Sequence, residues 1–282
     1  MVGLLKGEFF KLFRTRSFFL ILAAAIIIGF GSPVLSEIVR RELSNISGTE
    51  KEQVDAILNS DLQGFQTGIS VNVGDLYETP TVMSMLETSF TGNGFQLLLG
   101  IFAALFISIE FSTGSMKMIV SKGFFRTKIF VSKFLAICFA NIVFVAVSVV
   151  GTYLSSLVLF EHGVVPEQFL NRFLSVIALE IAGIIAFSAV ASMVSIICRN
   201  MPAAIIVNIL IVAFAGNIAN VLDLLTQKKF GLTDYWVINA MEAASSFSLS
   251  GSDILKISLT FLFTFLITFF IGVFSFRKAE IN

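Results

Sequence analysis

Charged residues are scarce in this sequence. Only 13% of its 282 residues are Asp, Glu, Lys or Arg, whereas a soluble domain carries about 25%. The charges lie between long uncharged runs, and a bilayer core about 30 Å thick is crossed by roughly 20 apolar helical residues. This scarcity excludes a water-soluble globular protein.

Cysteine and histidine are almost absent as well. Cys138 and Cys198 belong to no CxxC or Cys/His cluster, so the sequence predicts neither a disulfide framework nor a metal site. The single histidine, His162, is interpreted as a solvated loop residue. The sequence also has no phosphate-binding loop and no HExxH or GxSxG motif. We therefore expect no catalytic residue, no cofactor bound by this chain and no nucleic-acid partner.

Six uncharged or nearly uncharged runs are each long enough to span a membrane with some tilt. They lie at 17–35, 88–110, 134–160, 173–198, 200–222 and 257–276. The sequence therefore predicts an all-α integral membrane protein with six transmembrane helices. Six crossings place both termini on the same side of the membrane.

Basic residues concentrate on one side of this predicted topology. They dominate 1–16 and 111–133, mark the turn at Arg199 and recur in the tail at 277–282, whereas 36–87 on the opposite side is mainly acidic. Because Lys and Arg are retained on the cytoplasmic side, we expect both termini to be cytoplasmic.

Three segments outside the spans carry further patterns. Residues 1–16 predict an amphipathic helix on the inner membrane surface, with an apolar face formed by Leu5, Phe9, Leu12 and Phe13 and with Lys6, Lys11 and Arg14 away from it. Residues 36–87 predict a small helical external subdomain. Residues 223–254 predict an external or re-entrant segment, for which an ordinary surface loop is an equally good interpretation.

The connection at 111–133 contains a helix signal between two spans. Gly114 permits a sharp change of direction, and an apolar patch of Met116, Ile119 and Val120 follows it among basic residues. We expect a short helix at about 112–125 that is exposed at the inner face and suited to dock another protein. A contact with anionic lipids is the alternative, and both interpretations can hold together.

With these features the chain resembles permeases of the ABC-2 type exporter family. The resemblance rests on four features, in order along nearly the whole chain. They are the amphipathic stretch at 7–16, then Glu110 followed by Gly114, Ser115 and Lys117 with Arg126 and Lys133 beyond, then the long external segment before the last span, and finally the Phe276-Arg277-Lys278 tail. Ser115 stands where that family usually has threonine.

The resemblance implies a fold like that of type V exporters, with a coupling helix around 112–125 that docks on a separate ATPase. It implies two ATPase subunits, which would hold ATP and Mg²⁺, and a second permease, identical or homologous. The residues expected to couple the chain to the ATPase are Glu110, Gly114, Ser115, Met116, Lys117 and Arg126. The expected location is a bacterial plasma membrane, and the expected cargo is an antimicrobial peptide, a drug or a lipid-like molecule.

Glu180 is an acidic residue deep inside a predicted span. A charge at the bilayer centre costs about 2.5–3.5 kcal/mol on insertion scales, so we expect Glu180 to face the bundle or a cavity, and it is a candidate for the translocation pathway. Two other functions stay open. The chain could be an ion-coupled secondary transporter that uses Glu180, or a non-transporting sensor or scaffold subunit.

Overall fold

The computed structural model describes six stretches of the chain, at 2–45, 80–91, 93–161, 169–226, 231–246 and 249–278. All regular structure within these stretches is helical. Most of the predicted external subdomain at 36–87 lies outside the described residues, and so does His162. The predicted all-α class is confirmed for the part of the chain that the structure describes.

The described stretches contain ten α-helices and one short 3-10 helix, Leu232–Tyr235. In chain order the α-helices are α1 (Val2–Leu12), α2 (Arg16–Asn45), α3 (Val82–Thr91), α4 (Asn93–Ser112), α5 (Ser115–Ser121), α6 (Arg126–Leu159), α7 (Phe169–Cys198), α8 (Met201–Leu225), α9 (Val237–Ala244) and α10 (Gly251–Lys278). Six of them, α2, α4, α6, α7, α8 and α10, are long and apolar enough to cross a membrane. This agrees with the six predicted spans and with a multi-pass membrane protein.

Several helix ends differ from the predicted ones. Residues 88–91 belong to the separate helix α3, and α6 begins at Arg126 rather than at 134. The predicted third span begins after Lys133 because this residue is charged. In the folded chain, however, Lys133 continues the helix because its ammonium group is ion-paired inside the bundle.

At one end of the bundle, which we call the basic end, several parts of the chain lie together. Lys11 of α1 pairs with Glu110 near the end of α4, and Arg126 at the start of α6 donates a hydrogen bond to a backbone carbonyl at the end of α10. Gly272 of α10 lies close to Met193 near the end of α7. This end therefore contains α1, α5, the α7–α8 turn and the end of α10.

The basic end is named for the exposed residues that it presents. The exposed basic side chains there are those of Lys6, Arg14, Arg16, Lys117, Lys122, Lys128, Arg199, Arg277 and Lys278. Three of these cations lie over phenylalanine rings, with Arg14 over Phe10, Lys128 over Phe125 and Lys278 over Phe274. Apolar rings beside cations are typical of a membrane–water interface.

Helix α7 lies at the centre of the bundle. It packs against α4, α6, α8, α9 and α10, and its side chains Ala186, Phe187, Ala189 and Ala191 are fully or almost fully buried. In contrast, α8 and α10 expose large apolar side chains such as Phe214, Ile218 and Phe263. The centre of the bundle is therefore protein-packed, whereas α8 and α10 present an outer apolar surface.

Helix α9 covers the end of the bundle opposite the basic end. The carboxylate of Asp223, at the end of α8, accepts hydrogen bonds of 2.7 Å from the backbone N–H groups of Leu232 and Thr233. Met241 of α9 is buried and lies against Gly183 of α7. The described part of the 223–254 segment is therefore a packed helical cap rather than a free surface loop.

Candidate functional site

The short helix α5 crosses the basic end between two glycine turns. Gly114 and Gly123 have φ angles of 70° and 79°, in the left-handed region that glycine adopts at little cost. The hydroxyls of Thr113 and Ser115 lie 2.8 Å apart at the first turn. The two glycines therefore reverse the chain out of α4 and then into α6, and hold α5 as a separate unit.

The two faces of α5 differ in character. Met116 is only 1% exposed and belongs to the bundle core, where Ile119 and Val120 pack beside it. The expectation that Met116 is exposed to a partner is therefore wrong, since this side chain attaches α5 to the bundle, whereas Ile119 and Val120 are half-buried. The outward face instead presents Lys117 and Met118, the latter 63% exposed.

The helices before and after α5 contribute to a cluster of four charged side chains from three helices, which we call the charge cluster. It consists of Glu8 and Lys11 from α1, Glu110 from α4 and Lys133 from α6. The Nζ atom of Lys133 lies 3.0 Å from Oε2 of Glu8 and 2.6 Å from Oε1 of Glu110. The Nζ atom of Lys11 lies 3.1 Å from Oε1 of each of the same two carboxylates. Two carboxylates and two ammonium groups thus form a closed, neutral ring.

Most of the charge cluster is removed from solvent. Glu8, Lys133 and Glu110 are 1%, 3% and 7% exposed, whereas the side chain of Lys11 is 42% exposed. The Nζ atom of Lys133 also lies 5.5 Å from the centroid of the Phe106 ring. Removing Lys133, the buried cation, would leave buried carboxylates without full compensation, which is strongly destabilising. The cluster therefore fixes α1 to the ends of α4 and α6.

Lys11 lies at the solvent-facing edge of the cluster. Burial lowers its pKa, but the charges of Glu110 and Glu8 and their hydrogen bonds raise it, and the net result is a pKa above the ordinary 10.5. The sequence pattern put Lys11 on the outward polar face of α1. The structure turns it toward the bundle, because Glu8 and Glu110 are its partners there.

Arg126 joins two long helices at the basic end. Its Nη1 atom donates a 2.8 Å hydrogen bond to the backbone carbonyl of Arg277, near the end of α10. A carbonyl in the last turn of a helix has no partner within the helix, so Arg126 provides one and links α6 to α10. Of the sequence-predicted coupling residues, Lys117 and Ser115 lie on α5, Gly114 lies at its start, and Glu110 and Arg126 lie on the helices beside it.

Comparison with known proteins identifies a family to which the chain belongs. Residues 56–282 match the family described as "Protein of unknown function (DUF2705)". The chain belongs to this family. No curated protein matches the sequence. Within this DUF2705 chain, Glu110 and Lys133 lie inside the matched residues, whereas Glu8 and Lys11 precede them.

Sequence reasoning missed the charge cluster as a unit. Glu8 is the one acidic residue in 1–16, and Lys133 directly precedes the predicted third span. A lone acid in a basic segment is a signal that it has a specific partner. Which partner it has depends on helices that are far apart in the sequence, so the sequence of this DUF2705 chain alone could not have paired Glu8 with Lys133.

Glu180 lies apart from the coupling residues. It is on the part of α7 before Phe187, which is nearer to the end of the bundle that α9 covers. It is 2% exposed, so the expectation that it faces the bundle agrees with its burial. Its Oε1 atom is buried and accepts no hydrogen bond from the described residues. Among the residues that the structure describes in this DUF2705 chain, no group of three or more His, Cys, Asp or Glu side chains is placed to hold a metal ion.

Proposed function

We propose that this chain is the transmembrane permease subunit of an ATP-driven exporter. It would move an amphipathic or hydrophobic substrate out of a bacterial cell, across the plasma membrane, with work supplied by a separate ATPase subunit. The observation that carries the proposal is the construction of α5. This helix presents exposed Lys117 and Met118 to the outside of the bundle, while its buried Met116 attaches it to the bundle core.

The orientation in the membrane follows from charge. Most of the exposed lysine and arginine residues that the structure describes lie at the basic end, with Arg41 and Arg172 exposed at the opposite end. Such residues near span ends are retained on the cytoplasmic side. In this proposal both termini and α5 are cytoplasmic. An ATPase in the cytoplasm would therefore meet the outward face of α5, with ATP and Mg²⁺ bound in the ATPase.

The geometry of α5 suits the transfer of motion. Gly114 and Gly123 bound the helix, so α5 is able to tilt as a unit when a partner pushes it. Met116 inserts into the core, and Glu110 and Lys133 lie on the helices before and after α5. A push on α5 would therefore act on α4 and α6 together. In the proposed complex two ATPase subunits drive two permeases, which are either two copies of this chain or this chain and a homologue.

The test is capture of an ATPase by the outward face of α5. The tagged full-length chain would be purified from its native membranes in mild detergent, and ATP hydrolysis and co-purifying subunits would be measured. We expect an ATPase to co-purify with the unaltered chain. The Lys117→Asp/Met118→Asp variant should lose most of it, because two acidic side chains would replace a cation and an exposed apolar contact.

A matched control is Gly251→Asp/Ser252→Asp, two exposed positions at the opposite end of the bundle, which should retain the ATPase. Both variants should give the same thermal unfolding and gel-filtration profile as the unaltered chain. The proposal is wrong if no ATPase accompanies the unaltered chain, or if the α5 variant binds and stimulates the ATPase as the unaltered chain does.

A further inference from the structure

A buried carboxylate inside the bundle has no cationic partner among the described residues. Glu180 is 2% exposed and its Oε1 atom has no hydrogen-bond donor within the described stretches. Within the same stretches, the ion pairs of the protein involve other acidic residues. Buried carboxylates in proteins are normally paired or hydrogen-bonded. Glu180 is therefore able to accept a hydrogen bond for which the described residues provide no donor.

A second buried oxygen to which no described residue donates lies on the neighbouring helix α4. Gln96 is 2% exposed, and its Oε1 atom also accepts no hydrogen bond from any described residue. An amide oxygen and a carboxylate oxygen both require donors. The two helices pack against one another, so their relative register decides whether these oxygens face a common space.

The axial register of α4 and α7 places Gln96 and Glu180 at similar heights along the bundle. A Cβ atom built on Gly100 of α4 would lie 3.7 Å from Cζ of Phe187 of α7. Both helices run toward the basic end. Gln96 precedes Gly100 by one turn, and Glu180 precedes Phe187 by two turns on nearly the same face. At about 1.5 Å per residue these offsets differ by about 4.5 Å, within the combined reach of two long side chains.

We propose that Glu180 and Gln96 form a recognition subsite for a primary ammonium group on an amphipathic substrate. An ammonium group has three donors and no acceptor, so it satisfies both oxygens and neutralises the carboxylate. The inference rests on the proposed export function and adds the chemical class of the cargo. Glu180 is buried in this conformation, so the substrate reaches it through a transient separation of α4 and α7 that the chain undergoes without the ATPase.

Helix α7 also has polar side chains between Glu180 and the basic end. Ser188, Ser192 and Ser195 are fully buried. Ser188 accepts a 2.8 Å hydrogen bond from Asn141 of α6, whereas the hydroxyl of Ser192 has no partner in the described structure. These groups place polar side chains in the core of α7 between Glu180 and the basic end.

The test is direct binding to the purified full-length chain, reconstituted without ATPase in nanodiscs of a zwitterionic lipid. The probes are dansylcadaverine, which carries a primary ammonium group, and its N-acetyl derivative, which is neutral. We expect the unaltered chain to bind the ammonium probe about tenfold more tightly (about 1.4 kcal/mol). Glu180→Gln should reduce this preference below about twofold, and Gln96→Leu should reduce it to an intermediate value.

Two further variants separate recognition from folding. Glu180→Asp keeps the charge and should retain part of the preference, and Asp234→Asn removes an exposed acid near the capped end and should leave the preference unchanged. Equal binding of the two probes by the unaltered chain would overturn the proposal, and so would an unchanged preference in Glu180→Gln.

A proton-coupling role for Glu180 predicts another pattern. In that case Glu180→Gln would abolish uptake driven by a proton gradient in liposomes that hold this chain alone, while the probe preference stayed intact, and the subsite proposal would be wrong. Since the binding assay contains no ATPase, its failure leaves the α5 docking result unaffected. Failure of α5 to capture an ATPase likewise leaves the probe preference unaffected.

Discussion

Replacing Lys133 with methionine should strongly destabilise the bundle. Lys133 is 3% exposed and is the shared partner of Glu8 and Glu110, at 3.0 and 2.6 Å. The Lys133→Met variant keeps a similar side-chain length but leaves two buried carboxylates with Lys11 alone. Removing one partner of a buried ion pair costs about 3–5 kcal/mol, because a buried charge loses its compensation. We expect a loss of that size in the free energy of unfolding.

Two comparison variants test whether the burial of Lys133 causes the large loss of stability. Lys11 pairs with the same buried carboxylates, but its own side chain is 42% exposed. Water therefore compensates part of the charge that its loss uncovers, and a partly exposed pair contributes less than a buried one. Lys11→Met should therefore cost clearly less than Lys133→Met. The double variant Glu8→Gln/Lys133→Met removes one charge of each sign and leaves Glu110 with Lys11. It should recover most of the stability that the single Lys133 change loses.

The measurement is unfolding of the purified chain in mixed micelles titrated with SDS, followed by far-ultraviolet circular dichroism. The reasoning is refuted if Lys133→Met costs no more than Lys11→Met. It is also refuted if the effects of Glu8→Gln and Lys133→Met simply add, because residues in one ion-pair network should show a coupling energy.

Two further predictions follow from helix packing and from the charge cluster. A Cβ atom on Gly29 of α2 would lie 2.5 Å from the backbone oxygen of Ser148 of α6, whereas no atom of the described residues lies within 4 Å of one on Gly31. Gly29→Ala should therefore destabilise the chain by about 1–3 kcal/mol and Gly31→Ala should stabilise it slightly. Equal unfolding midpoints in the same SDS titration would contradict this close contact. The pKa of Lys11 is raised above 10.5, so its contribution to stability is complete below that pH and is lost as the pH rises through the folded-state value. The unaltered chain should lose more stability than Lys11→Met in an alkaline unfolding series, and parallel curves would show that Lys11 has no such role.

The distribution of hydrophobic and charged residues along the sequence by itself determines the main features of the helical architecture. Long uncharged runs predict six apolar helices, since the backbone polar groups of a membrane span are satisfied within a helix. Gly114 marks the turn before α5, because glycine adopts a positive φ angle without steric strain. The basic segments also predict which parts of the chain gather at one end of the bundle.

Only the tertiary structure decided where these features lie relative to one another. The apolar patch of Met116 reads in the sequence as a docking surface, but Met116 packs into the core. Glu8 and Lys133 are 125 residues apart in the chain and form an ion pair. A periodic pattern identifies which residues of a helix share a face, but lipid, protein core and partner surface are all apolar environments. The packing of the helices therefore determines which of these environments each face meets, and which charges become partners.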